Sequence, residues 1–302
     1  MRAVVLFALA CALTQAVSIK WTGIANDMQW SNHINWYPAQ VPGQNDDVSI
    51  GVGVVQVTAS TAVNSLTMGY DVNGVANLTL YQSFLVGNGG LSVSANGNLF
   101  INTGLSQVFA TATIDGNLFF VDGTLAGSWT VGKRAYADLG NANEKGFSGC
   151  AFVSAGQLSL GGVIVLNQSS TFTIAAGATA TATGALLLTG PAFIQGVTNN
   201  GVFNAQAAVS SQNINIQGSG SVSVTSILTI NTATVSQAAV LLSSGSSFTG
   251  SNTFLTLGKV ESVSGGAVKA VLGDYTLTCQ KECDNVSTPS STTPTASFSF
   301  SA

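Results

Sequence analysis

The chain has 302 residues, only 7% of them charged, and a net charge of −4. An ordinary soluble protein carries about 25% charged residues, so neutral polar groups must cover most of this surface. The length allows a large core in one elongated domain, and the scarcity of cations excludes nucleic acid as a partner, because no basic patch exists to neutralise phosphates.

Residues 1–18 read as a secretory signal peptide: Arg2 supplies the positive end, Ala3 to Leu13 the apolar run, and Ala16 or Ser18 the small residue before cleavage. The run is too short for a comfortable membrane span, and no later stretch of about 18 apolar residues follows. The expected location is therefore secreted, either extracellular or on the cell surface. In such an oxidising compartment Cys279 and Cys283 can close a small ring, which leaves Cys150 as an odd cysteine once Cys11 departs with the leader. Cys150 reads as a buried thiol acting as a small apolar residue. A zinc site is disfavoured because the lone His33 is remote from the cysteines. No metal or cofactor motif is read anywhere.

Residues 19–47 form a distinctive amino-terminal cap segment. It contains Trp30-Ser31, then Asn35-Trp36-Tyr37-Pro38, then Val41-Pro42-Gly43-Gln44-Asn45-Asp46-Asp47-Val48. Pro42-Gly43 makes a turn, and Asp46 and Asp47 can accept from nearby backbone N–H groups as the next strand starts. The same aspartates as Ca²⁺ ligands would need six to eight oxygens, and they supply two carboxylates. The tryptophans suit the open apolar end of a stack of strands. This segment resembles the start of secreted β-helix surface and adhesin-like proteins, which carry a Trp…Asn-Trp…Val-Pro-Gly…Asp-Asp-Val segment before the first coils. The resemblance covers about thirty residues and implies a fold more than a function.

Residues 48–284 are expected to form the solenoid itself. Short apolar–polar alternations recur between glycine turns, and Gly97-Asn98-Leu99-Phe100 returns nineteen residues later as Gly116-Asn117-Leu118-Phe119. A period near twenty predicts one coil of two or three short strands. A β-sandwich also alternates, and Asn-Gly at Asn73, Asn96 and Asn200 allows some hairpins. The expected fold is all-β, a single-stranded right-handed parallel β-helix.

Gly132–Gly149 breaks the pattern, because Lys133, Arg134, Asp138, Glu144 and Lys145 cluster there just after Trp129. It reads as a loop inserted between coils. Trp129, Lys133, Arg134, Tyr136, Asp138 and Glu144 are the candidate ligand-binding residues, the aromatics for stacking on a sugar and Arg134 as a fork for a carboxylate or sulfate. From Gly146 to Gly258 no Asp, Glu, Lys, Arg or His occurs. Within that run Thr179, Thr181 and Thr183 read as one exposed strand face. Asn77, Asn167 and Asn285 begin N-glycosylation acceptor patterns. Residues 285–302, rich in Ser, Thr and Pro, read as a disordered tail.

The leading function is structural or adhesive, with extracellular glycans or cell-wall and matrix polymers as the partners to expect. The alternative is a lectin-like carbohydrate-binding module. A third class, a polysaccharide lyase or hydrolase, requires paired carboxylates or clustered Asp, Arg and Lys. Asp115, Asp122, Lys133, Arg134, Asp138, Glu144 and Lys145 are the candidates for that class. They read first as a solvated turn and loop, so no catalytic residue is assigned and no enzyme is expected.

Overall fold

A computed structural model describes the chain from residue 16 onward, except 142, 168–169, 190–195, 207–208, 213–214, 301–302 and the segments between strands after residue 231. Side chains are described, with few exceptions, as far as residue 229. Among the described residues there are 29 strands and no α-helix, only a 3₁₀ turn at His33–Asn35. Apart from one antiparallel pair near the start, each strand lies parallel to the strand one coil away. The fold is a parallel β-solenoid, as the alternation and the near-twenty period predict.

Each coil has three faces. On the first face Gly53–Val57 pairs with Ala76–Leu80, which pairs with the start of Gly97–Ile114, and the row continues through Asn117–Val131, Tyr136–Leu139 and Gln157–Leu166. Ser18–Trp21 and then Asp47–Ile50 open a second face, and Val209–Gln212 with Ile227–Asn231 belongs to the third. Long strands such as Gly97–Ile114 and Asn117–Val131 run through all three faces, and their pairing slips register at the corners.

Alternation sorts the side chains. On the first face Leu78, Leu99, Leu118, Ala137, Leu158 and Ala180 follow one another inward in register, and all are buried. Burying one such leucine contributes roughly 1.5–3 kcal/mol, and each needs the coils above and below to cover it. The corner before this face explains the repeated glycine: a Cβ on Gly116 would collide with the carbonyl oxygens of Gly97 and Ser94. The Gly-Asn-Leu-Phe phrase thus encodes a tight corner, an outward amide, an inward leucine and an outward ring.

The amino-terminal segment closes the stack. Ser18–Trp21 pairs parallel with Asp47–Ile50 as the first rung, and Trp36–Tyr37 pairs antiparallel with it, Trp21 opposite Trp36. That covers a sheet edge that would otherwise be open to another chain. Trp21, Trp30 and Trp36 are buried. Their rings begin an edge-to-face ladder: Trp21–Trp36 at 4.8 Å, Trp36–Trp30 at 4.7 Å, then Trp30–Phe84 at 5.3 Å, Phe84–Phe109 at 6.1 Å and Phe109–Trp129 at 4.8 Å. The Asp27 carboxylate organises the cap loop, accepting from the Asn32 and Asn35 side-chain amides at 2.6 Å and from the Gln29 N–H at 3.0 Å. These hydrogen bonds, that from Asn32 foremost, hold its pKa below the usual 3.8.

Two expectations are revised. Gly132–Gly149 is not an inserted loop. The Ala135 N–H closes a turn on Gly132 O at 3.1 Å, and the strand Tyr136–Leu139 pairs in register with Asn117–Val131 on one side and Gln157–Leu166 on the other. After a corner, Glu144–Ser154 continues the coil. The alternation is intact there, with Ala137 and Leu139 inward and Tyr136 and Asp138 outward, and the charges merely occupy outward and corner positions. Within the tail, Val286–Ser287 pairs with the strand Ala267–Ala270, and Ser297–Phe300 pairs with Thr276–Cys279. The period-two Ser-Phe-Ser-Phe suits that strand, so the expectation of disorder does not hold at those two points.

Candidate ligand-binding groove

The outward positions of the first face form two neighbouring columns. In one, Phe100, Phe119, Asp138, Ser159, Thr181 and Asn204 succeed one another in register. In the other lie Asn77, Asn98, Asn117, Tyr136, Gln157 and Thr179. The amides form a ladder: Asn98 Nδ2 donates to Asn77 Oδ1 at 2.8 Å, and Asn117 Nδ2 donates to Asn98 Oδ1 at 2.7 Å. Phe100 and Phe119 stack half-exposed, with centroids 4.6 Å apart and planes within 7°, and Tyr136 meets Phe119 edge-on at 6.2 Å.

Beside these rings lies an open groove of about 530 Å³ lined by Phe119, Tyr136, Asp138, Asn141, Ser159 and Thr183. A second hollow of about 390 Å³ shares Tyr136, Ser159 and Thr183 with it and extends to Gln157, Thr179 and Thr181. Asp138 Oδ1 accepts from the Gly140 N–H at 2.7 Å, which fixes the carboxylate at the groove's edge. Ser159 and Thr183 share a hydrogen bond at 3.2 Å. Thr179, Thr181 and Thr183 all point outward, the first two half-buried and Thr183 exposed; all three line the second hollow, and Thr183 also lines the groove.

Behind the groove sits a buried cation. Lys145 Nζ donates to the carbonyls of Asn143 at 2.8 Å, Asn141 at 2.9 Å and Gly161 at 3.4 Å. At this corner the bending backbone leaves carbonyls off the strand ladder, and the ammonium supplies their donors. Burial lowers the lysine pKa to about 8, while Asp122 and Asp138 pull it the other way. With its hydrogens directed at carbonyls, Lys145 is a structural clamp. Next to it Asn141 Nδ2 donates to Val121 O at 2.7 Å, while its Oδ1 is buried without a partner.

The structure therefore divides the predicted ligand residues. Tyr136 and Asp138 meet in the groove. Lys133 and Arg134 are exposed at the tip of the preceding turn, and Glu144 is exposed at the following corner. Trp129 cannot be a stacking platform: it is fully buried at the end of the aromatic ladder, with Nε1 donating to Ala126 O at 3.1 Å. Its partner one coil below is Ala112, whose small side chain leaves room for the indole. Sequence reasoning missed Phe100 and Phe119, although their signal was present, since each falls on the outward phase of a repeated phrase.

Other predicted positions are placed as follows. Asn77 lies mid-strand and half-buried in the amide ladder. Asn167 leaves the end of Gln157–Leu166, its N–H on Phe147 O at 2.8 Å. Asn285 and Cys283, and with them the Cys279–Cys283 ring, fall outside the described side chains. Cys150 is fully buried, and burial pushes its thiol pKa up to about 12, which makes it an inert core residue. Asp47 Oδ1 accepts from Asn64 Nδ2 at 2.8 Å and Ser65 Oγ at 2.6 Å, tying the second rung to the next coil. No known protein family, curated protein or solved structure matches this chain.

Proposed function

We propose that the protein is a secreted or cell-surface β-solenoid with a structural or adhesive role. The observation that carries this reading is the in-register parallel stack, in which Ser159, Thr181, Asn204 and Ser223 succeed one another as an outward neutral polar row. Such a rod is stiff along its axis, because each coil is bonded to the next across three faces, and it offers long neutral surfaces to matrix or cell-wall polymers. The signal-like leader and the resemblance of residues 19–47 to secreted β-helix proteins support the location. On this reading the charges between residues 133 and 145 shape a corner and a turn and perform no catalysis.

The second reading, a carbohydrate-binding module, is favoured by one feature. The Phe100–Phe119 stack and Tyr136 border a groove that also holds Asp138, Ser159 and Thr183. Half-exposed rings take the apolar face of a sugar, and a fixed carboxylate with two hydroxyls takes its hydroxyl groups. The experiment is a glycan array probed with purified protein beside Phe119→Ser and Tyr136→Ala. Sugar binding that falls about tenfold in both variants selects the second reading. Adhesion to cells or matrix that both variants retain, with no sugar bound, selects the first. Release of cleaved products from a polysaccharide overturns both.

A further inference from the structure

Asp46 is only 8% exposed, and its carboxylate reaches back 29 residues to Val17. Its Oδ2 accepts from the Gly43 N–H at 2.8 Å, and its Oδ1 accepts from the Val17 N–H at 3.1 Å. The Asp46 backbone is fixed as well: its N–H donates to Gly43 O at 2.9 Å, and its carbonyl accepts from the Asn64 N–H at 2.9 Å. Val17 packs against the core, and its carbonyl accepts from the Asp47 N–H at 2.9 Å. Val17 is thus held at both backbone ends, whereas Ala16 is exposed. A carboxylate oxygen already facing a backbone N–H makes a stronger hydrogen bond where that donor is a cation.

We propose that maturation cuts the Ala16–Val17 bond and that the new Val17 α-ammonium pairs with Asp46, locking the first rung to the Pro42–Gly43 turn. This rests on the secreted reading. Hydrolysis consumes one water: Ala16 leaves with the carboxylate, and the Val17 amine takes up a proton. The nitrogen already lies within hydrogen-bond reach of Oδ1, so cleavage converts a neutral donor into a charged one without moving it. Ser18, the other small residue that suits a leader's end, is the wrong boundary. A cut after it would remove Val17, leave Asp46 Oδ1 and the Asp47 N–H without these partners, and take the first residue from the strand Ser18–Trp21.

Two measurements test this. The first is the amino-terminal residue of protein secreted by eukaryotic cells expressing residues 1–302, read by mass spectrometry. Val17 is expected. Ile19 or any other residue overturns the cleavage site, and a retained chain that keeps the leader overturns the secreted reading too. The second does not depend on secretion. Chains released from a cytoplasmic fusion to begin at Val17 or at Ala16 are melted at pH 6, each with and without Asp46→Asn. The chain beginning at Val17 should melt at least about 2 °C higher, and the gap should vanish with Asp46→Asn. Equal melting of the two wild-type chains overturns the ion pair. If Asp46→Asn does not fold, acetylation of the Val17 amine asks the same question, and an unchanged melting temperature overturns the pair.

Discussion

Two sets of aromatic rings climb this solenoid, one inside and one outside, and they pack differently. Inside, Trp21, Trp36, Trp30, Phe84, Phe109 and Trp129 meet edge-on or tilted, at 4.7–6.1 Å. Outside, Phe100 and Phe119 stack face to face at 4.6 Å. Neighbouring strands lie about 4.7–4.9 Å apart, so identical outward residues in register are brought to stacking distance by the backbone itself. Inside, the same rule holds where two rings are in register: the buried Phe152 and Phe172 stack at 5.1 Å with planes within 14°. The rings of the inner ladder are not so paired, and they settle into the edge-to-face and tilted contacts that their quadrupoles favour. The same residue type serves as filler inside and as an ordered, half-exposed strip outside.

The comparison breaks most visibly at Trp129. Trp129→Ala should cost about 3–5 kcal/mol, since it opens a cavity where the ladder meets the coil's second face. Denaturant unfolding measures this, and a cost below about 1 kcal/mol would show that the ladder is not a core.

Lys145 sharpens the comparison by placing a charge, held by carbonyls, in the buried interior. Lys145→Met should cost about 1–3 kcal/mol at pH 7, because three carbonyls lose their donor. Its pH signature follows from the lowered pKa. Between about 8 and the ordinary lysine value of 10.5 the folded chain releases a proton that the unfolded chain keeps. The unfolded state then binds more protons, and this group's contribution to stability rises with pH. Wild-type stability relative to Lys145→Met should therefore climb over that window in denaturant titrations at pH 7, 9 and 10. A flat or falling difference would contradict the buried clamp.

The smallest effect belongs to the outer strip. Phe119→Ser should cost at most about 1 kcal/mol, the range of a cross-strand pair, and should leave strand content by circular dichroism unchanged. A loss as large as that of Trp129→Ala would mean that the outer rings are core after all and would remove the groove as a binding face.

Much of this was legible in the sequence. Period two sent Leu99 and Leu118 inward and Phe100 and Phe119 outward, the near-twenty period announced coils, and the tryptophan-rich start announced a cap. Local alternation suffices for these because a strand's side chains have two directions only. The misreading of residues 132–149 has the same source. Charges drew attention away from Tyr-Ala-Asp-Leu, which alternates like every other rung.

What only the tertiary structure decided is which residues meet. Register between coils depends on corner lengths that vary from coil to coil, so sequence spacing could not place Tyr136 against Phe119 or Ser159 beside Thr183. Alternation sends Trp129 inward with Val131, but only the stacking of coils sets Phe109 against its ring. Lys145 is buried because a corner turns carbonyls toward it, and Asp46 meets Val17 across 29 residues because the first rung lies beside the second. The sequence determines the direction of each side chain along a strand, while stacking the coils determines its neighbours, and the chemistry of this protein depends on those neighbours.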